Sequence, residues 1–405
     1  MGSVTSASVG TLVLIALAAV LAPILSEMTG RLAIPEIVIQ IGLGIIMGPY
    51  VLGLAHVGDV VSGLSDLGLT YLIFLAGYEL DLDKIRGRPL RLATIGWGIS
   101  LVIGLGSAFA LVSAGLARDT LVVGLALTTT AMGTLVPMLR DAGIMDSRFG
   151  AYITAIGTVG EFGPIVAVAL LLTNKEPLLT SLLLAAFVVV AVMAVLVAAR
   201  DQPPRLVSLL DRHLESSSQL PVRISLLFIV LLVLLAETLG LDVLLGAFAA
   251  GIVVRLFSAS GETATIKAKL EAIGFGFLIP IFFVVSGIQF DLHVFIHHPD
   301  SLWRVLVFLL LMLVARGAPV YLLYGKVLTR PQRFPMALLS ATGLPLIVVI
   351  TSIALAEGRM LQVNAASLVA AGMLSVLLFP AMGMVRLRGR NVSAVEPDPS
   401  EPDVA

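Results

Sequence analysis

The sequence predicts an all-α polytopic membrane protein of about thirteen transmembrane helices. They form a 6+6 inverted repeat around a linking helix, with two of the helices discontinuous. Three observations predict this. Of 405 residues, 58% are hydrophobic and only 13% charged, where soluble domains are nearer half apolar and a quarter charged. Apolar runs of about 20 residues recur along the whole chain, the length that crosses a bilayer as a helix. Segments seven spans apart resemble one another.

Apolar runs place the spans at 8–26, 34–52, 62–79, 93–115, 120–139, 149–173, 178–199, 221–239, 241–257, 273–290, 303–325, 334–356 and 363–385. The first has no basic segment before it and reads as a retained helix. The basic residues agree with this count. At or beyond the ends of spans 1, 3, 5, 7, 9, 11 and 13 lie 20 Lys/Arg, among them Lys84, Arg86, Arg88 and Arg91. On the other side lie only Arg118, Lys175, Arg304 and Arg359. Positive charge marks the cytoplasmic side, so the N-terminus is expected outside and the C-terminus in the cytoplasm, in a multi-pass protein of the cell membrane. Residues 8–385 then form the transmembrane domain and 386–405 a Pro-rich, acidic, disordered tail. Between spans 7 and 8, residues 201–220 read as a linker whose Leu206, Leu209, Leu210 and Leu214 suit an interfacial helix.

The repeat shows first in spans 3 and 10. "LIFLAGYELDL" (72–82) and "IFFVVSGIQFDL" (281–292) each pass through a glycine near the end and finish on Asp-Leu. Seven is odd, so these spans cross in opposite directions. Spans 5 and 12 match as well. The first holds Thr128, Thr129, Thr130, Gly133, Thr134 and Pro137; the second holds Ser340, Thr342, Gly343 and Pro345. Hydroxyls, glycine and proline interrupt both. Interrupted helices in matching positions of inverted repeats point to a secondary transporter with its site near the midplane. Small-residue packing faces are the plainer account of either span alone.

Two charges lie near the middle of a span, Glu161 and Arg316. A charge there costs about 2.5–3.5 kcal/mol on the insertion scale and marks an ion path more often than a packing contact. Thr154 and Thr158 precede Glu161 by seven and three residues, so all three share a helix face. Pro164 has no N–H and frees the Gly160 carbonyl. A carboxylate, hydroxyls and a freed carbonyl are hard oxygen ligands that suit a small cation. A fixed Glu161–Arg316 ion pair is the structural alternative. Glu36, Asp66, Glu79, Glu237 and Asp242 fall near span ends and read as structural, and Gly44 and Gly48 as a GxxxG packing face.

The composition also excludes functions. The chain has no cysteine, so thiol chemistry and Cys-based metal sites are out. Its five histidines fall in loops; His293, His297 and His298 with Asp291 and Asp300 read as solvated. No catalytic cluster, metal or cofactor is expected, and a net charge of −1 gives no reason to expect nucleic acid.

The sequence resembles the monovalent cation/proton antiporters, most closely their Kef-type branch. Four segments carry the resemblance in order: "IPEIVIQIGLGIIMGP" (34–49), "LGLTYLIFLAGYELDL" (67–82), "LGAFAAGIVV" (245–254) and "IPIFFVVSGIQFDL" (279–292). The resemblance implies a homodimer with two discontinuous helices crossing at the ion site, which spans 5 and 12 match. It implies Glu161 as the cation- and proton-binding carboxylate, with Thr158, Gly160, Thr130 and Thr134 around it. Arg316 is the implied supporting charge, and Ser340 and Thr342 lie on the second crossing helix. The family pair is usually Asp-Asp, Asn-Asp or Gln-Asp, whereas this chain has Gly160-Glu161. The expected function is exchange of Na+ or K+ for protons by alternating access, one for one and electroneutral. A sodium-coupled organic anion symporter is the alternative.

Overall fold

The computed structural model describes residues 6–28, 34–79, 85, 87–145, 147–171, 219–239, 243–257, 263–297 and 301–387. The helices in chain order are α1 (Ser6–Met28), α2 (Glu36–Met47), α3 (Asp59–Glu79), α4 (Arg88–Ser113), α5 (Thr120–Ala126), α6 (Met132–Asp141), α7 (Arg148–Leu171) and α8 (Leu220–Thr238). Then follow α9 (Val243–Phe257), α10 (Thr263–Ile273), α11 (Ile279–Ile288), α12 (His293–His297), α13 (Leu302–Met312), α14 (Ala318–Leu323), α15 (Arg330–Ser340), α16 (Pro345–Ala356) and α17 (Gln362–Leu387). Among the described residues nine helical stretches are long and apolar enough to cross a membrane, with Glu36–Met47 and Val243–Leu256 apolar but shorter. The span expected at 178–199, linker residues 201–218, Asp242 and the tail from 388 fall outside the described residues.

The chain divides into two compact units, Met1–Leu80 with Phe162–Ser301, and Asp81–Glu161 with Leu302–Ala405. In the first, α2 lies against α11 and α3 against α9. Ile15, Met47, Val61, Ile281, Val284 and Ile288 form one buried cluster there. The α2–α11 crossing is backbone on backbone. A Cβ on Gly44 would meet the Val284 carbonyl and, at 2.9 Å, Gly287 Cα; one on Gly287 would meet the Ile41 carbonyl. The span-end acids are accounted for locally. Glu36 accepts from Gln40 Nε2 at 2.8 Å, Glu79 lies 3.9 Å from Lys267 Nζ, and Asp66 and Glu237 are exposed.

The second unit holds both broken helices, α5/α6 and α15/α16. The windows that cross differ sharply in burial: 83% within Arg330–Ala356 but 22% within Arg88–Ser113. The α15/α16 pair is therefore the unit's core, and α4 an outer helix. Proline also shapes α13–α14. Pro319 cannot donate to the Ala315 carbonyl, and the turn Leu313–Gly317 widens to π geometry just before it. Gly274–Leu278, ahead of Pro280, widens in the same way in the first unit. An ionic tie fixes the ends of the broken helices. Asp119 caps α5, its Oδ1 accepting from Leu121 N at 2.8 Å and Val122 N at 3.2 Å. Its Oδ2 accepts from Arg359 Nη2 at 2.7 Å and Nε at 2.8 Å, just past the end of α16. Beside it, Arg304 donates to Asn364 Oδ1 at 2.7 Å, and Asn364 Nδ2 to the Leu116 carbonyl at 2.8 Å.

The α2–α11 crossing yields a paired prediction. Gly44→Val forces two backbones apart and costs about 1–3 kcal/mol or more, so the melting temperature of detergent-purified protein falls by several degrees. Gly42→Val, on the same helix with nothing within 4 Å of its Cβ, changes it little. Equal melting temperatures for the two variants would refute the crossing.

Candidate functional site

The site grows out of two helix breaks. From Leu127 to Ala131 the chain leaves helical geometry between α5 and α6. The run of three threonines promotes this. Thr128 Oγ1 donates to the Leu125 carbonyl at 2.8 Å and Thr129 Oγ1 to Ala126 at 3.0 Å. Such local bonds compete with the helical ladder. The second break, Ala341 to Leu344, ends at Pro345, which opens α16 without an N–H to satisfy.

Each break leaves backbone groups that need partners at a depth where water is scarce. The two breaks satisfy each other and α7. Ala131 N–H donates to the Thr342 carbonyl at 2.7 Å, and Thr130 N–H to the Gly160 carbonyl at 3.0 Å. That second acceptor is the carbonyl that Pro164 leaves without its helical donor. Thr130 Oγ1 donates to the Ser340 carbonyl at 2.6 Å. Gly343 N–H donates at 3.1 Å to Ser375 Oγ on α17.

Arg316 is 1% exposed, the largest fully buried side chain among the described residues. It projects from the π turn before α14 into the crossing. Its Nε and Nη2 donate to Thr130 Oγ1 at 2.9 and 2.7 Å, and Nη2 also to the Ile156 carbonyl at 3.1 Å. Nη1 lies 3.4 Å from Ser100 Oγ on α4. These partners are all neutral oxygens, so the contacts solvate the charge without cancelling it. The guanidinium lies against the face of α7 that Gly160 leaves bare.

Glu161, next along α7, is partly buried, as are Thr154 and Thr158 on its face. Thr134 is 8% exposed in the first turn of α6 and donates to the Ala131 carbonyl at 3.0 Å. Ser340 and Thr342 are fully buried at the second break. The structure therefore brings Gly160, Thr130, Arg316, Ser340 and Thr342 into one hydrogen-bonded network, with Glu161 as the residue after Gly160. Thr130 is expected as a cation ligand, but its hydroxyl already donates once and accepts twice, which is its whole capacity. Sequence reasoning missed Ser100, Ser375 and the Ile156 carbonyl. A lone serine in an apolar span is a faint signal, and a main-chain carbonyl gives none. Among the described residues no group of three His, Asp or Glu is placed to hold a metal ion; His298 and Asp300 are not among those residues.

Two broken helices that complete each other's backbone beside a carboxylate are an arrangement that secondary transporters use at their sites. The chain belongs to the family described as "Sodium/hydrogen exchanger, transmembrane", which it matches over residues 15–384. Similar proteins include a putative Na(+)/H(+) antiporter, YjbQ, of Bacillus subtilis, 29% identical over 333 residues, 77% of this chain and 52% of that protein. The chain thus spans about half the length of that relative. The Na(+)/H(+)-K(+) antiporter GerN of Bacillus cereus is 30% identical over 274 residues, 65% of this chain and 68% of its own. The sodium proton antiporter MjNhaP1 of Methanocaldococcus jannaschii, solved at pH 8, shares the fold with a TM-score of 0.65 at 18% identity, over 93% of this chain and 98% of that one.

The network predicts the effect of losing its centre. Arg316→Ala leaves a large cavity and strips Thr130 Oγ1 and the Ile156 carbonyl of buried donors, which costs about 2–5 kcal/mol. Thermal unfolding in detergent should show a marked drop, with a smaller one for Arg316→Lys. An alanine variant as stable as the parent would mean that the network does not hold the crossing.

Proposed function

We propose that the chain exchanges a monovalent cation, sodium or potassium, for a proton by alternating access, with Glu161 binding each in turn. One observation carries the assignment to Glu161. It follows, on the same helix, the carbonyl that anchors the first helix break, which is itself bonded to the second through Ala131 and Thr342, so a rearrangement of the first break is felt directly at its backbone. Thr158, on its face, and Thr134 supply the hydroxyls proposed as ligands, with the Gly160 carbonyl. Proton and cation compete for one carboxylate, so lowering pH raises the apparent KM for the cation. The relatives, named as sodium/proton and sodium/proton-potassium antiporters, support this reading over the organic-anion symporter.

The finer organisation is also a proposal: thirteen spans, residues 8–385 as the transporter, an outer N-terminus, a cytoplasmic tail, a homodimer in the cell membrane, and the Kef-type branch. Geometry supports the repeat. Gly77 and Gly287 stand 210 residues apart, as do Thr130 and Ser340. Span 2 meets span 10 at Gly44 and Gly287, and span 3 meets span 9 where a Cβ on Gly251 would strike the Phe74 carbonyl. Exchanging each span for its counterpart seven later turns one crossing into the other. The basic-residue bias supports the orientation. The four ordered motifs support the branch.

Two measurements test the mechanism. In liposomes with an imposed pH gradient, sodium or potassium addition moves protons through the wild type, and Glu161→Gln, which keeps the shape but cannot ionise, abolishes this while still inserting. Wild-type exchange by Glu161→Gln would remove Glu161 from the site. Second, a single carboxylate carries one proton or one cation, so exchange is electroneutral. Moving one net charge through 100 mV is worth about 2.3 kcal/mol, and an electrogenic cycle would respond strongly to voltage. With the potential clamped by valinomycin and potassium, sodium-driven exchange should keep its rate when the potential is reversed. A severalfold change would require a second proton carrier.

A further inference from the structure

We propose that Arg316 occupies the vacant side-chain position of Gly160, and that Thr130 is the positioning residue that holds it there beside the carrier. The inference rests on the reading of Glu161 as carrier and extends it to what surrounds the carboxylate.

The observation is steric. A Cβ built on Gly160 would run into Arg316 Nη2, and would lie 2.6 Å from Thr130 Oγ1 and 2.8 Å from Thr130 Cβ. None of these atoms can withdraw cheaply. Nη2 is tied to α7 itself by the Ile156 carbonyl at 3.1 Å, and Thr130 is pinned by its own N–H and hydroxyl to Gly160 and Ser340. The absence of a side chain at residue 160 is therefore a requirement of the guanidinium, and not merely a tolerance for close helix packing. The guanidinium in turn puts a permanent positive charge one residue from Glu161. Arginine does not deprotonate in proteins, so this charge is constant while Glu161 changes its load. It acts on both loaded states of the carboxylate.

Thr130 then has a different role from that of a cation ligand. Both its acceptor positions are taken by Arg316 Nε and Nη2, and its one proton by the Ser340 carbonyl. It orients the guanidinium toward α7 and connects that orientation to the second broken helix.

The test uses full-length protein in liposomes, with sodium chloride as the probe and both the maximal rate and the apparent KM for sodium as readouts. Gly160→Ala should lower the maximal rate by about tenfold or more, because a buried charged group loses its place. Arg316→Lys has no Nη2 to collide with the new methyl. Adding Gly160→Ala to Arg316→Lys should therefore cost several-fold less than adding it to the parent, the part that remains coming from the methyl against Thr130. A Gly160→Ala penalty of the same size with Lys at residue 316, or no penalty with Arg, would overturn the steric assignment. Thr130→Val, which keeps the shape and removes the hydroxyl, should lower the maximal rate with little change in the sodium KM. Thr130→Ser should recover most of the loss. A raised sodium KM at an undiminished maximal rate would make Thr130 a cation ligand and refute its positioning role. If Gly160→Ala does not insert, the two Thr130 variants decide alone. Melting temperatures of the same variants separate the two readings. Coupling between residues 160 and 316 in stability, with exchange surviving in Glu161→Gln, would keep the arginine cradle and reject Glu161 as carrier.

Discussion

The hydrogen bond from Thr130 N–H to the Gly160 carbonyl is the contact on which the rest of the second unit depends. Two requirements meet in it. Pro164 deprives the Gly160 carbonyl of its helical donor, and the break after α5 deprives Thr130 N–H of its helical acceptor. In water either group could be left to solvent. At membrane depth an unpaired backbone group costs several kcal/mol, so a break in one helix needs a matching vacancy in another. The proline in α7 creates that vacancy. The Ala131–Thr342 bond solves the same problem between the two breaks. α7 and the crossing are thereby one hydrogen-bonded object.

The buried guanidinium follows from the same geometry. α5 and α15 both end at the crossing, so their C-terminal carbonyls bring partial negative charge there. Arg316 answers it, bonding to Thr130 just past the end of α5, while Thr130 itself binds the carbonyl of Ser340, the last residue of α15. Its partners are neutral, and its burial is complete within 1%. A charge held this way needs no carboxylate to justify its place. That distinguishes it from a structural ion pair and is compatible with a carboxylate that changes partners.

Much of this was legible in the sequence because prolines and hydroxyls announce where backbone pairing fails. The freed Gly160 carbonyl, the interrupted spans 5 and 12 and the lone charges Glu161 and Arg316 all follow from residue type and position. What received the freed carbonyl was not legible, since a main-chain N–H is present at every residue but proline and only the tertiary crossing selects Thr130. Ser100 and the Ile156 carbonyl were hidden for the same reason. Span ends were less legible than span centres. Span 2 was expected to run to Leu52, but α2 stops at Met47 because Gly48-Pro49 follows and Pro49 disfavours helix in the residue before it.

The division of oxygens at the crossing bears on what a transported ion would meet. A permanent cation has taken the Thr130 hydroxyl and the Ile156 carbonyl. The oxygens proposed for the path are the Glu161 carboxylate, the Thr158 and Thr134 hydroxyls and the Gly160 carbonyl. Two of these four residues, Glu161 and Thr158, sit in partly buried positions, and Thr134 and Gly160 are buried. A site built from these four ligands alone would not replace the whole hydration shell of a small cation. The ion would keep some of its water, and the fixed positive charge of Arg316 would oppose tight binding. Weak binding of this kind suits a carrier, because an exchanger must release its ion to one side as readily as it takes it from the other.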